Sequence, residues 1–302
     1  MKSVSENEVR RARPLLGTFV EITAGGENGA DLHKAIDQAF EAIIKVHRLM
    51  SFHDPASDIS RLNAHAASCA IRIHPWTSRV LRAAKNFSKE SNGAFDITVA
   101  SLLRNWGLLP NAPLGAADTS PPTKKYIGRW ADIIFENNQS VRFRRPLIID
   151  LGGIAKGFAV DRAVESLVKS GIRSGLVNAG GDLRAFGPEP RLIHVRHPLD
   201  PTRTGRALFL RGDALATSVP YYIEQIGVRG ASFVDGRTRQ PVSEHVSVSV
   251  SAPDCMTADA LTKIVMVMRD QARPILDRHK AETFILQGEK PTCRFLHGHR
   301  AQ

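Results

Sequence analysis

The residues of this chain best suited to chemistry gather at two glycine corners. The first, Asp150-Leu-Gly-Gly-Ile-Ala-Lys-Gly157, follows the apolar run Pro146-Leu-Ile-Ile149 and leads into a helical pattern over 158–170. The second, Asn178-Ala-Gly-Gly-Asp182, follows the apolar run 174–177. Glycine lets backbone approach a ligand closely. A helix starting just beyond it offers free N–H groups and the positive end of its dipole. Lys156 adds a cation at the same point. These residue types in this order suit a phosphate or pyrophosphate, and so a nucleotide-like ligand. GxGxxG and GxxxxGK[ST] are both missing from the sequence, which leaves a Rossmann or P-loop site unsupported. Taken singly, each corner reads more readily as a tight turn that needs glycine.

The elements that must position these corners follow from periodicity. Residues 16–23 alternate apolar and polar, as a half-buried strand does. Over 31–50, Leu32, Ala35, Ile36, Ala39, Phe40, Ile43 and Ile44 form one helical stripe, and Asp31 stands near its start. Residues 75–91 form a second amphipathic helix, closed by Asn92-Gly93. Residues 110–122 form a loop rich in Pro, Ala and Gly. Residues 133–151 are strand-like with a turn near Asn137-Asn138, and the helix after the first corner stops at Gly171. Short strands are expected over 176–179, 192–196, 207–211, 214–218 and 245–252, then a helix over 257–268 and a terminal hairpin over 282–286 and 292–296. Strands and helices in short mixed groups predict an α+β fold with largely antiparallel sheets.

Composition narrows the function classes. The chain has 302 residues, 42% of them hydrophobic, enough for a sizeable core. No apolar run approaches the roughly 18 residues a membrane span needs. The start is polar, with no apolar leader-like run and no cysteine, so no secretory or lipoprotein signal is expected. Cys69, Cys255 and Cys293 are odd in number and far apart, which favours reduced thiols, small buried hydrophobes and a cytoplasmic location. The net charge of +11 admits nucleic acid as a partner, but the basic residues are scattered and only 6% of residues are aromatic. The charge fits attraction of an anionic ligand better, and nucleic acid is the minor reading. Residues 1–13 are expected to form a disordered arm.

Eight segments in a fixed order resemble the ApbE family of flavin transferases. They are Leu16-Gly-Thr18; Met50-Ser-Phe-His53 with Ser57-Asp-Ile-Ser-Arg-Leu-Asn63; Gly93-Ala-Phe-Asp-Ile-Thr-Val99; Leu103-Arg-Asn-Trp-Gly107; the two glycine corners, the first with Asp161; Ala216-Thr-Ser218; and Thr257-Ala-Asp-Ala-Leu261. The resemblance implies two T-fold-like halves around a flavin cleft, in a single domain over 14–302. It implies FAD as substrate, Mg²⁺ as cofactor, and transfer of FMN to a Ser or Thr of an acceptor flavoprotein. It places flavin contacts at Met50, Ser51, Phe52, Asp96, Gly152, Gly153, Lys156, Gly180, Gly181, Asp182, Thr217 and Ser218. Asp182 and Lys156 are the catalytic candidates.

The metal ligands implied by the resemblance are the carbonyl of Ala155, Asp259, and a threonine four residues after that aspartate. Carboxylate, hydroxyl, carbonyl and pyrophosphate oxygens suit Mg²⁺. Here the threonine position holds Lys263, and Thr262 lies one residue early. A lysine four residues after Asp259 shares its helix face and cannot ligate a metal while protonated. Two outcomes are expected: Thr262 completes the shell, or Lys263 weakens or replaces the metal. Val219-Pro220 also follows Ser218 where the family has glycine, and a family histidine is missing from 231–241, where Asp235, Thr238 and Pro241 survive. These departures allow an impaired member that binds FAD or hydrolyses it weakly.

Overall fold

A two-residue turn starts the fold. Leu16 (φ 56°) and Gly17 (φ 72°) are both left-handed, as a type I′ hairpin requires, and they join β1 (Asn7–Leu15) to β2 (Thr18–Gly26) with Leu15 opposite Thr18. The computed structural model describes residues 7–26, 31–109, 128–200, 202–219, 233–242, 246–288 and 292–297. β1 corrects the expected arm over 1–13 from residue 7 onward; residues 1–6 lie outside the described residues. Its charges are those of a sheet edge. Arg11 and Arg13 pair with Asp37, and the Arg13 guanidinium sits 4.4 Å from the Phe40 ring centroid.

α1 (Leu32–Met50) buries the expected stripe except Ile44, which is half-buried, and is capped by Asp31 accepting from Lys34 N at 2.9 Å. α2 (Asp58–His65), capped by Ser57, is an element that periodicity did not mark. β3 (Ile71–Arg72) precedes α3 (Pro75–Glu90), which has Pro75 in its first turn, where the missing N–H costs nothing. α4 (Ala100–Asn105) follows, and the loop expected over 110–122 lies outside the described residues. β4 (Ile133–Phe135) and β5 (Ser140–Phe143) form a small sheet with β3. The apolar run 146–149 is not a strand: it is pinned by single hydrogen bonds instead.

α5 (Ala155–Lys169), β6 (Ser174–Ala179), β7 (Asp182–Phe186), β8 (Arg191–Arg196), β9 (Thr204–Leu210) and β10 (Ala214–Ser218) come next. The small pair β11 (Val234–Asp235) and β12 (Gln240–Pro241), then β13 (Val246–Ala252), α6 (Cys255–Met268), α7 (Arg273–Arg278), β14 (Glu282–Gln287) and β15 (Thr292–His297) complete the described chain.

Eight strands form one sheet in the order β1-β2-β6-β7-β10-β13-β14-β15, antiparallel at every pair and open at both ends. The α+β expectation is met. Strand alternation gives the sheet two faces. Val20, Ile22, Val177, Ala214, Ala216, Val248 and Val250 join the main core with α1, α5 and α6. Leu183, Ala185, Leu215, Phe284 and Leu286 point the other way, under the β8–β9 hairpin with Ile193, Val195 and Leu210. All three cysteines are free thiols, but only Cys255 is buried as expected; Cys69 and Cys293 are exposed. Among the described residues no helix is long and apolar enough to cross a membrane.

Candidate functional site

The two glycine corners meet the start of α6 at one end of a cleft of about 1040 Å³. The first corner is fixed by hydrogen bonds from outside any sheet. Asn63 bonds both ways with Ile149, donating to its carbonyl (3.0 Å) and accepting from its N–H (2.9 Å). Asp150 N donates to Ile97 O at 3.0 Å, and Gly152 N donates to the Asp150 carboxylate at 2.9 Å. Burial pushes the Asp150 carboxyl pKa up, more than the Gly152 and Leu151 amides pull it down.

Gly157 lets two helices abut. A Cβ there would lie 2.2 Å from the Cys255 carbonyl oxygen and 2.8 Å from Asp259 Cβ. With no side chain in the way, Gly157 N donates to Asp259 Oδ2 at 3.0 Å. One turn further along α5, the buried Asp161 accepts from Cys255 N and Met256 N at 2.9 Å each, and from Arg184 Nη1 at 2.8 Å. A carboxylate thus caps the start of α6 from a neighbouring helix. Burial raises the Asp161 pKa despite these donors.

The second corner is a hairpin. Gly180 (φ 66°) and Gly181 (φ 102°) join β6 to β7 with Ala179 opposite Asp182, so both require the left-handed region. Gly181 N donates to Asn178 Oδ1 at 3.0 Å. The turn sets the fully buried Asp182 against Lys156, whose ammonium donates to Asp182 Oδ2 at 2.6 Å. Asp182 Oδ1 is buried without a hydrogen-bond partner among the described residues.

Two ion pairs therefore stand here, Lys156 with Asp182 and Lys263 with Oδ1 of the fully buried Asp259; the lysines line the cleft and the carboxylates lie behind them. Burial lowers the Lys156 pKa, but the Asp182 and Asp259 carboxylates outweigh it and hold the ammonium protonated above the usual lysine range. Burial, then the Asp259 charge, push the Asp182 carboxyl up against the pull of Lys156 and Lys263.

The other expected contacts divide. Gly152, Gly153, Lys156, Gly180, Gly181, Asp96, Thr217 and Ser218 line the cleft. Asp96 is buried, and its Oδ1 caps a short turn by accepting from Thr98 N (2.9 Å) and Thr98 Oγ1 (2.8 Å). Desolvation raises its pKa. The hydroxyls of Thr217 and Ser249 are 2.9 Å apart. Met50, Ser51, Phe52 and Asp182 are buried and do not line the cleft. Met50 belongs to the main core, the Ser51 carbonyl accepts from Ser57 Oγ at 2.7 Å, and Phe52 packs with Ala100 and Ile148.

The expected Mg²⁺ ligands do not present an open set. Ala155 opens α5 beside Lys156, but both Asp259 oxygens already have donors. Thr262 Oγ1 is fully buried, donates to Asp259 O at 2.7 Å, and lies 2.7 Å from Ser218 Oγ. Among the described residues no three His, Cys, Asp or Glu side chains cluster as metal ligands. The arrangement seats an ammonium where the resemblance implies a divalent ion.

Sequence reasoning missed several residues that line the cleft or hold its lining. Phe19 and Glu21 reach it because Glu21 pairs with Asn178 across β2 and β6, and His194 and Arg196 come from β8. Arg239 Nη2 reaches Asp96 Oδ2 at 3.5 Å and donates to Gly128 O at 2.9 Å. These placements depend on strand pairing and chain crossing, which leave no local pattern to read.

An open antiparallel sheet under three helices, with a charged cleft at paired glycine turns, defines an α+β protein with a cleft suited to an anionic ligand. The ApbE family model matches residues 16–285, and the chain belongs to that family. It is 31% identical over 278 residues to an FAD:protein FMN transferase of Vibrio cholerae serotype O1, covering 87% of this chain and 82% of that protein. It is 29% identical to the Haemophilus influenzae protein of the same name, covering 82% and 77%. The crystal structure of the ApbE protein from Thermotoga maritima superposes with a TM-score of 0.82 at 29% identity, covering 96% of this chain and 97% of that one. A mutant form of the flavin transferase ApbE from Vibrio cholerae gives 0.81 at 26% identity, with the same coverage.

Proposed function

We propose that this chain moves FMN from FAD to a Ser or Thr hydroxyl of an acceptor flavoprotein. The observation that carries the reading is the meeting of two glycine corners, an α5 N-terminus and Lys156 on the lining of one cleft, with Asp182 buried against Lys156. Its volume of about 1040 Å³ suits a dinucleotide, since small-ligand pockets run to about 1,000 Å³. Family membership and the named relatives support the same reaction.

In this reading the diphosphate lies against Gly152 and Gly153, with the start of α5 and the Lys156 ammonium supplying positive charge. The flavin and nucleoside ends extend past Asp96, Gly180, Gly181, Thr217 and Ser218, while Met50, Ser51 and Phe52 support that wall from behind. The acceptor oxygen attacks the phosphorus of the FMN half. The bond from that phosphorus to the bridging oxygen breaks, and AMP leaves with the electron pair. The acceptor proton passes to Asp182, whose Oδ1 has no other partner among the described residues. Thr262 is a structural neighbour, its hydroxyl tying Asp259 O within α6 to Ser218. The spread of cysteines supports a cytoplasmic setting.

The pairing of Lys263 with Asp259 favours one second reading, in which water replaces the acceptor and the products are free FMN and AMP. The test separates them. The protein is incubated with FAD and a candidate acceptor subunit, then followed for AMP release and in-gel flavin fluorescence. Both signals together are expected. AMP without protein-bound fluorescence selects hydrolysis, and neither signal overturns the reading.

A further inference from the structure

We propose that the Lys263 ammonium is the resident cation of this cleft, standing where the family resemblance puts a divalent ion. The proposal rests on the FAD reading for the ligand, but its evidence is the arrangement of α6. Lys263 follows Asp259 by four residues on one helix face, and its ammonium donates to Asp259 Oδ1. The second oxygen of Asp259 holds the Gly157 N–H at 3.0 Å. Of the hydroxyls close in sequence, Thr262 Oγ1 is turned to the helix carbonyl and to Ser218, and Thr257 Oγ1 donates to Asp254 Oδ2 at 2.9 Å.

Packing keeps the lysine there. A Cβ on Gly153 would lie 3.6 Å from Lys263 Cε and 3.7 Å from Cγ, so its stem runs under the first glycine corner. Its side chain is only 16% exposed. The ammonium thus sits on the cleft floor rather than swinging into solvent, and Lys263 lines the cleft with Gly152, Gly153 and Lys156.

Charge favours the same conclusion. Asp182 and Asp259 are matched by Lys156 and Lys263, so the cluster is balanced without an ion. A divalent cation would meet two fixed ammonium groups in a buried setting where charges act strongly on one another. An incoming diphosphate instead finds two N–H-bearing cations already in place, and pairing with them needs no metal. FAD binding by this chain is therefore independent of divalent ions, and substituting Lys263 creates the dependence.

The test uses the full chain. FAD affinity is measured by flavin fluorescence in EDTA and in excess Mg²⁺, and Mn²⁺ binding is measured by electron paramagnetic resonance without FAD. The wild type is expected to bind FAD equally in both buffers and to leave the free Mn²⁺ signal intact. Lys263→Thr is expected to take up Mn²⁺ and to bind FAD about 10- to 150-fold more weakly in EDTA, a charged hydrogen bond being worth about 1.5–3 kcal/mol. Lys263→Arg should behave as the wild type, and thermal melts establish that each variant folds. Stoichiometric Mn²⁺ uptake by the wild type, a wild-type FAD affinity that rises with Mg²⁺, or a Lys263→Thr protein that binds no Mn²⁺ would overturn the proposal. Absence of FAD binding by every protein in both buffers overturns the flavin reading instead, and the manganese comparison still decides the role of Lys263.

Discussion

The loop wall of the cleft, Asp150–Gly157 with Asn178–Asp182, and the helix wall, Asp259–Lys263, meet at one ionic cluster yet are built from different physics. The loop wall depends on backbone. Its shape comes from two left-handed glycines, a glycine that admits a neighbouring helix, and amide hydrogen bonds to Asp150 and Asn178. The helix wall depends on side chains, and its character is set by which cation faces Asp259. A backbone-shaped wall tolerates little change, because any Cβ at Gly157 strikes a carbonyl. A charge-shaped wall can exchange one cation for another and keep its form. Ligand shape and cation chemistry are therefore separable in this cleft.

The largest effect that sharpens this contrast is on chemistry. Asp182→Ala removes the proposed proton acceptor and should lower FMN transfer by about 10²–10⁴-fold, the usual worth of a positioned base. FAD affinity should fall far less, and a proportional loss of both would reassign Asp182 to binding alone. Next is the joint between the walls. Asp161→Ala strands the Cys255 and Met256 amides and the Arg184 guanidinium, and should cost about 3 kcal/mol in urea unfolding, near the upper end for unpaired buried groups.

Gly157→Ala attacks the loop wall directly. Overpacking of this kind costs about 1–3 kcal/mol, and the shift of α5 from α6 should also loosen the Gly157–Asp259 bond. An unchanged unfolding midpoint would mean that the helices give way without cost. The smallest effect is in alkaline solution. Lys156 holds its proton above the ordinary value of 10.5 in the folded state, so its contribution to stability is complete below that value. Above it the unfolded chain loses the proton first, and stability declines as pH rises through the higher folded value. Lys156→Met should flatten the alkaline limb of the urea midpoint against pH.

The same division explains what the sequence made legible. Local signals placed α1, α3, α5, α6 and the terminal hairpin, because stripes, caps and turn glycines lie within a few residues of one another. They also placed both glycine corners and the Asp259–Lys263 pair, an i, i+4 relation on one helix. The charged strand β1 reads as a disordered arm, because an edge strand with arginines paired to a distant helix carries no apolar alternation of its own. The run 146–149 reads as a strand, yet Ile149 is held by Asn63, and Asp150 just after it by Ile97, both far away in sequence. Met50, Ser51 and Phe52 carry the family pattern, but their side chains are buried packing behind the cleft.

The most direct measurement is a crystal structure of the protein soaked with FAD in excess Mg²⁺. The expected map has the diphosphate against Gly152 and Gly153, with the Lys263 ammonium bridging Asp259 and a phosphoryl oxygen. An octahedral ion on Asp259, with Lys263 displaced, would contradict it.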